Sequence, residues 1–524
     1  MRSGEIKTFG GKLKEFFKKP VMTVAFMMGA TVLAKLLGML RTILLALNYG
    51  TGVEASAFSL ASRVPLTFFD LLFSSAILGC FIPVYNSFAD DTDGASEFAS
   101  SFLAVVLLAT GALSVVGMLG ADIIVRLLGP GLSAETAALA VRILRIMFPM
   151  VVFTGSTYTL VGVMQSRGRF LLPAFISSIS NAGVIVYFLF FDGFFGIYGL
   201  SIAYIVSWLI QLLTLAIPLK RDGVKLLAGA NLKNPALFKA IKMSLPVMLG
   251  SWLAPIGLLA GTFFSTFVAE NGNVIFEYAV NAFTMAAGIL TYSICNYLFP
   301  SLAKLSSEAH EEEFLETSRS GIIPAAAIIL PFSAALTVLS GECIAAMYMR
   351  GDFTASDAAS VASLLCMLVL SMPAFAGIEI FSRIFYARSL PWIPMVSAGA
   401  GIAVNIVSAS VMVFGFDRGM NAIGISYSIG LYAAVAVLVL FSFFKLKGLY
   451  NKKFAVSMLK VVFAAVVFSV VSYFIYSAVN NDPYSSSTLK NILVAMAVFV
   501  PSAIVYVVLI RFSGVFKGGL KSRK

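Results

Sequence analysis

Stretches such as Ala455 to Tyr476 place apolar side chains on every face of a helix, and similar stretches recur along the whole chain. A helix that is apolar all round has no water-facing side and must lie within a large core or within lipid. About 20 such residues cross the hydrocarbon of a bilayer once. Only 12% of the 524 residues are charged, where a soluble domain carries about 25%, so the chain reads as a polytopic membrane protein. The strand alternative requires roughly 10-residue segments that alternate apolar with polar, which these runs do not. The fold class expected is therefore all-α.

Helices are expected near 21–48, 56–87, 97–125, 138–163, 170–192, 196–219, 238–269, 274–303, 320–348, 358–387, 391–415, 421–444, 454–479 and 489–511, fourteen spans in all. The first follows six Lys/Arg, is too long for the apolar region of a signal peptide and lacks a small-residue cleavage site after it, so it reads as an uncleaved span. An even count puts both termini on one side. The N-terminus, the even-numbered loops and the C-terminus together hold 28 of the 37 basic residues, which makes that side cytoplasmic. Most of the +12 net charge is thereby topological rather than a sign of nucleic-acid binding. The turn at 89–93 and the segment from Glu308 to Glu316 are acidic exceptions on the same side, and acidic residues weigh little in this rule.

The chain repeats itself. Met147-Phe148-Pro149 is echoed by Ser371-Met372-Pro373 at an offset of 224, and Arg167 and Pro173 by Arg388 and Pro394 at 221, with Asn181 and Asn405 further along. Residues 199–204 match 422–427 at 223, and Phe81-Ile82-Pro83 matches Leu298-Phe299-Pro300 at 217. The shift equals six spans, an even number, so the halves share one orientation about an axis along the membrane normal. The expected organisation is a cytoplasmic segment 1–20, an N-lobe 21–219, a basic linker 220–237, a C-lobe 238–444, two further spans within 445–511 and a cytoplasmic tail 512–524. Paired bundles of this kind favour a transporter over a channel or a membrane-bound enzyme.

Charges inside the spans are the informative ones, since an ionised group at mid-bilayer is costly and normally faces a wet cavity or a partner. Lys35 lies roughly 20 Å from either end of the first span at 1.5 Å per residue, too deep to snorkel. Arg41 is roughly 10 Å from the outer end of the same helix. On the next span Arg63 and Asp70 stand seven apart on one face with Pro65 between them. Glu277 opens the eighth span, and Glu379 and Arg383 are four apart on the tenth, a spacing for an intrahelical pair. A cationic first-lobe cavity suits an anionic headgroup such as a pyrophosphate; the competing reading makes Arg63–Asp70 and Glu379–Arg383 satisfied structural pairs.

Catalytic constellations are not evident. Cys80, Cys295, Cys343 and Cys366 are scattered without CxxC spacing and His310 is the single histidine, which argues against a disulfide scaffold, a zinc site or His-based catalysis. The chain has no nucleotide-binding loop, HExxH or GxSxG. Gly351 and Asp352 read as a turn leading into a capped helix rather than as a metal site. No cofactor is expected, and the driving force falls to an ion gradient or the membrane potential.

Ala34-Lys35-Leu36-Leu37-Gly38-Met39-Leu40-Arg41, Tyr49-Gly50-Thr51-Gly52, Arg63-Val64-Pro65 and Phe81-Ile82-Pro83-Val84-Tyr85 resemble the opening of the MurJ (MviN) lipid II flippases of the multidrug/oligosaccharidyl-lipid/polysaccharide exporter superfamily. Arg145 to Pro149, Tyr278-Ala279, Phe299 to Ala303, Arg350 to Asp357 and Phe385 to Arg388 extend the resemblance across spans 1 to 12, as a divergent member. The resemblance implies fourteen helices, two lobes around a central cavity, and export of undecaprenyl-pyrophosphate-linked peptidoglycan precursor by alternating access. It also implies a pyrophosphate role for Lys35 and Arg41. Departures are Thr42 where the family often has an acid, Phe69 and Asp70 in place of a basic pair, and Val280 and Asn281 where Asp and Arg are expected. Arg63 is the candidate to replace the missing span-2 cation. At the acidic positions of a sodium site known in some members this chain has Gly261 and Ala409, leaving Asn405 as a weak sodium candidate.

The function expected is a lipid II flippase in the bacterial cytoplasmic membrane, with a lipid-linked anion and membrane lipids as partners, cell-wall synthesis proteins as further partners, and no nucleic acid. Competing readings are a flippase for another polyprenyl-pyrophosphate saccharide, a drug/cation antiporter of the same fold, and a non-transporting scaffold. The antiporter predicts an acidic, aromatic cavity, whereas Lys35, Arg41 and Arg63 against Asp70 leave the first lobe net basic.

Overall fold

The computed structural model describes residues 20–88, 91–251, 253–305, 310–416, 419–479 and 481–515. Nearly all of the expected cytoplasmic segment 1–20, and the expected tail from position 516 onward, lie outside the described residues. Among the described residues every regular element is a helix, as hydrocarbon surroundings require, since each backbone N–H and C=O must find its partner within the segment. Of the described helices, ten are long and apolar enough to cross a membrane unbroken. Two helix pairs join them as bent spans, Ala134–Met147 with Met150–Ser166 at 41° and Ala355–Val369 with Met372–Ala387 at 46°. The protein is a multi-pass membrane protein. The bends fall at Pro149 and Pro373, the prolines paired by the internal repeat, because proline lacks the N–H needed to continue the preceding helix.

Of the two other expected spans, the one over 56–87 is discontinuous. In place of one helix over 56–87 the chain forms Val53–Ser62, a π-helical turn Arg63–Phe68, Phe69–Ala76, a second π turn Ile77–Phe81, and Ile82–Asn86. Pro65 and Pro83 are the cause, since each removes an i→i−4 bond and its ring crowds the carbonyl four residues back. The first π turn closes through a bond from the Phe69 N–H to the Val64 carbonyl. It inserts an extra residue into that turn and so breaks the seven-residue register expected between positions 63 and 70. Of the expected span 238–269, the described residues are helical over Pro235–Ser251 and Leu253–Val268.

Two compact units result. The first comprises Met1–Leu45, Ala57–Leu127 and Ala134–Pro255, the second Ala46–Ser56, Leu128–Ser133 and Ile256–Lys524. Within the first, Phe81 is ringed by Phe98 and Phe102 at centroid distances of 5.3 and 5.0 Å. Within the second, the last two helices pack on Glu311–Val338, with the Tyr506 hydroxyl donating to the Ala327 carbonyl at 2.6 Å. A buried hydroxyl needs such a partner, and here it fixes the depth of the terminal hairpin.

Backbone geometry repeats between the units as the sequence does. The Ser114 hydroxyl donates to the Phe148 carbonyl at 2.9 Å, and Ser333 to Val369 at 2.8 Å. Gly196 (φ 53°, ψ −152°) is matched by Gly419 (φ 59°, ψ −156°), its counterpart in the internal repeat. The turn that ends Met150–Ser166 has Gly168 at φ 72° and a bond from the Arg169 N–H to the Met164 carbonyl at 2.9 Å. The corresponding turn, in the register that pairs Arg167 with Arg388, has Ser389 at φ 57° and a bond from Leu390 to Phe385 at 3.0 Å. Both are left-handed C-terminal caps, and the repeated geometry explains why a serine occupies a conformation that favours glycine.

The second unit also gathers several of the motifs that carry the family resemblance. Gly50 and Gly351 both have positive φ, and a Cβ on either would lie 2.4 Å from the Asp352 carbonyl oxygen or 2.2 Å from that of Leu47. Glycine is required by this contact, which closes through a bond from the Asp352 N–H to the Leu47 carbonyl at 2.9 Å. Beside it the Thr51 hydroxyl donates to Asp357 at 2.5 Å and the Tyr278 hydroxyl to the Gly50 carbonyl at 2.9 Å. Thr354 and Asp357 form a capping box on Ala355–Val369, the role expected of a turn followed by a helix start.

No atom lies within 4 Å of a Cβ added at Gly168, so Gly168→Ala isolates the backbone cost of the left-handed cap. The purified variant is expected to lose about 1 kcal/mol of stability, read as a lower thermal midpoint. An unchanged midpoint would show that the cap is not held in the left-handed region.

Candidate functional site

Lys35 and Arg41 lie on Pro20–Tyr49 in the first unit. Lys35 is exposed, among the exposed apolar residues Val32, Leu33 and Leu36. Arg41 is half-buried and held from two sides. Its guanidinium donates to the Asn181 side-chain oxygen at 3.0 Å, while the Asn181 amide donates to the Ala34 carbonyl at 3.0 Å. Its Cζ lies 5.4 Å from the centre of the Tyr204 ring, within cation–π range. Gly38 faces the same amide: a Cβ there would lie 3.4 Å from the Asn181 nitrogen, in ordinary contact. Asn181 thus bridges the cation and the backbone two turns earlier, fixing Arg41 without neutralising it.

The other candidates are distributed. Arg63 opens the first π turn and is only 7% exposed, packed within the first unit. Asp70 belongs to the helix Phe69–Ala76, and its side chain lies outside the described residues. Glu379 and Arg383, in the second unit, form the expected pair at 3.5 Å, half-buried, with the Arg383 guanidinium 6.0 Å from the Phe299 ring centre. Asn281 and Glu277 are half-buried on Gly272–Lys304. Asn405 is 8% exposed and packs so closely on the next helix that a Cβ on Gly430 would lie 2.7 Å from its own. At Gly261 a Cβ would come within 2.3 Å of the Phe276 ring, so this packing has no room for the carboxylate that a sodium site would place there.

Asn181 and Tyr204 are the site residues that motif reading missed, although both lie in repeated segments. Their counterparts Asn405 and Tyr427 are likewise buried or ring-packed, Tyr427 against Phe283 at 6.2 Å. Among the described residues, only the first unit adds an arginine to that pair. The repeat pattern held the signal, and contact geometry was needed to attach it to Arg41.

The description "Lipid II flippase MurJ" belongs to a family model that matches residues 45–511. The chain belongs to the MurJ family. Among curated relatives, Lipid II flippase MurJ of Burkholderia cenocepacia is 26% identical over 433 residues, 81% of this chain and 83% of the relative. Probable lipid II flippase MurJ of Bdellovibrio bacteriovorus is 25% identical over 408 residues, 76% and 78% of the two chains. In fold, the chain is similar to a solved MurJ in an inward closed conformation, with a TM-score of 0.79 and 21% identity over 93% of this chain and 99% of that one. It is also similar to an inward-facing MATE-family multidrug transporter of the MOP superfamily, with a TM-score of 0.68 and 16% identity over 81% and 98%. Membership of the MurJ family makes this a protein of a transporter family.

Asn181→Ala removes the hydrogen-bond acceptor of a charged group, a loss of about 1.5–3 kcal/mol. The purified variant is expected to unfold at a lower temperature, and Asn181→Gln to recover part of the loss. Equal midpoints for wild type and Asn181→Ala would show that Arg41 does not depend on this contact.

Proposed function

We propose that this protein moves the undecaprenyl-pyrophosphate-linked peptidoglycan precursor, lipid II, from the inner to the outer leaflet of the bacterial cytoplasmic membrane by alternating access. The observation that carries the reading is the match to the MurJ family over residues 45–511, together with the two cations that this chain keeps on its first span, Lys35 and Arg41. A pyrophosphate is bound through charge-assisted hydrogen bonds, and an arginine oriented by an amide and an aromatic ring keeps its positive charge available for that purpose. Arg63 is a third cation of the first unit; Glu379 and Arg383 pair with one another and leave no net charge for the substrate.

The protein acts as a transporter and not as an enzyme, with its termini and basic loops in the cytoplasm. The two-lobe organisation expected from the six-span repeat is supported by the matched Ser, Gly and cap geometries of the two units. The MATE likeness is one of fold, and the basic first unit is the wrong sign for a cationic drug.

Depleting the protein and probing which leaflet holds lipid II tests the proposal. Lipid II is expected to accumulate in the inner leaflet, and unchanged export in a strain without a second flippase would overturn it. Lys35→Ala and Arg41→Ala are each expected to abolish complementation of the depleted strain while membrane expression stays normal. Normal growth with both replaced would refute their role in binding substrate.

A further inference from the structure

At one end of the first unit the helix ends Ile82–Asn86, Thr92–Leu119 and Met150–Ser166, with the turn after Asp192–Arg221, enclose a cleft of about 760 Å³. Arg167 is exposed on it. The internal repeat shows what such an arginine holds in the second unit. There the equivalent Arg388 pairs with the Glu311 carboxylate, its guanidinium 4.0 Å from the Phe314 ring centre, and its side chain is 13% exposed. Glu311 and Phe314 stand in the first turn of Glu311–Val338.

That helix and Thr92–Leu119 are equal in length, 28 residues each, and their starts at Glu311 and Thr92 are in register in the repeat. Ser114 and Ser333, each of which bonds to the carbonyl of a neighbouring helix, stand at the same distance from the start of their helices in that register. Glu311 and Phe314 therefore correspond to Thr92 and Ala95, and both of those residues line the cleft. The first unit has lost the carboxylate and the ring that cover the arginine in the second.

Two cations, Arg167 and Lys225, line the space that this loss leaves, with the Ser166 hydroxyl buried beside it. Arg167 donates through Nε to the Tyr85 hydroxyl at 3.0 Å, and among the described residues no carboxylate lies within ion-pair distance of its guanidinium. The hydroxyl of Ser166 is buried and has no hydrogen-bond partner. Lys225 stands 4.0 Å from Asp93, an exposed and loose pair. The remaining acid of the cleft, Asp222, is taken by Arg169. Among the described residues the arginine is thus the uncompensated charge.

We infer that this cleft is a binding site for a phosphate group, held by Arg167, Ser166 and Lys225. A carboxylate offers two oxygens and would fill little of 760 Å³. A phosphate ester offers more acceptors, bulk to occupy the cleft, and the geometry that a guanidinium grips bidentately. The phosphate is that of a glycerophospholipid headgroup or of a soluble phosphate ester.

The test uses the purified full-length protein in detergent, with thermal unfolding followed as glycerol 3-phosphate, phosphatidylglycerol in mixed micelles, or a glutamate-rich peptide is added. Wild type is expected to be stabilised by phosphatidylglycerol. Arg167→Ala should weaken the apparent affinity more than about tenfold, as loss of a charged hydrogen-bond partner does, and Ser166→Ala should weaken it by less. Stabilisation by glycerol 3-phosphate as well identifies the phosphate alone as the ligand, whereas a response to the lipid only identifies the headgroup in its membrane setting. Should Arg167→Ala not fold, Ser166→Ala and Arg167→Gln carry the comparison. Absence of stabilisation in wild type, equal responses in wild type and the folded variants, or stabilisation by the acidic peptide alone would each overturn the inference.

Discussion

A group that would hydrogen-bond to water must, in hydrocarbon, find its partner inside the protein. This constraint governs the structure at two scales. At the scale of the backbone it makes every described element a helix, and at Pro65, Pro83, Pro149 and Pro373 the helix widens or bends where proline has removed a bond. At the scale of side chains it decides which intramembrane charges remain available. Glu379 and Arg383 satisfy one another on a single helix, while Arg41 is held by a neutral amide and a ring and so keeps its charge.

The duplication supplies a frame in which differences between the units become informative. Asn181 with Tyr204 and Asn405 with Tyr427 are repeated features, but only the first pair receives an arginine. Arg167 and Arg388 are repeated, but only the second receives a carboxylate and a phenyl ring. In both cases the first unit carries the uncompensated cation. Duplication followed by asymmetric loss or gain of single side chains can turn a structural pair into an anion-binding position without disturbing the helices that support it.

Several family motifs prove to be structural rather than chemical. Gly50 and Gly351 serve backbone approaches that a Cβ would obstruct, Tyr278 donates to the carbonyl of Gly50, and Thr354 with Asp357 caps a helix. The motif containing Lys35 and Arg41 differs from these in placing cations at span depth. The divergence at 69, 70, 280 and 281 therefore concerns the charge of the site and not the frame that carries it.

The sequence alone was enough to determine that the chain is an all-helical membrane protein with an internal repeat and cations in its first span. Each of these rests on local apolar patterning or on one-dimensional correspondence. Tertiary structure decided the rest. Proline position made the second span discontinuous, because the effect of a missing backbone bond depends on whether the helix widens or bends there. Side-chain contacts singled out Asn181 and Tyr204 as the partners of Arg41, and separated Arg167 from Arg388 although their local sequences correspond. Asn181 and Tyr204 stand on helices several spans beyond the one that carries Arg41, and their contacts are set by packing between helices, on which local patterning is silent.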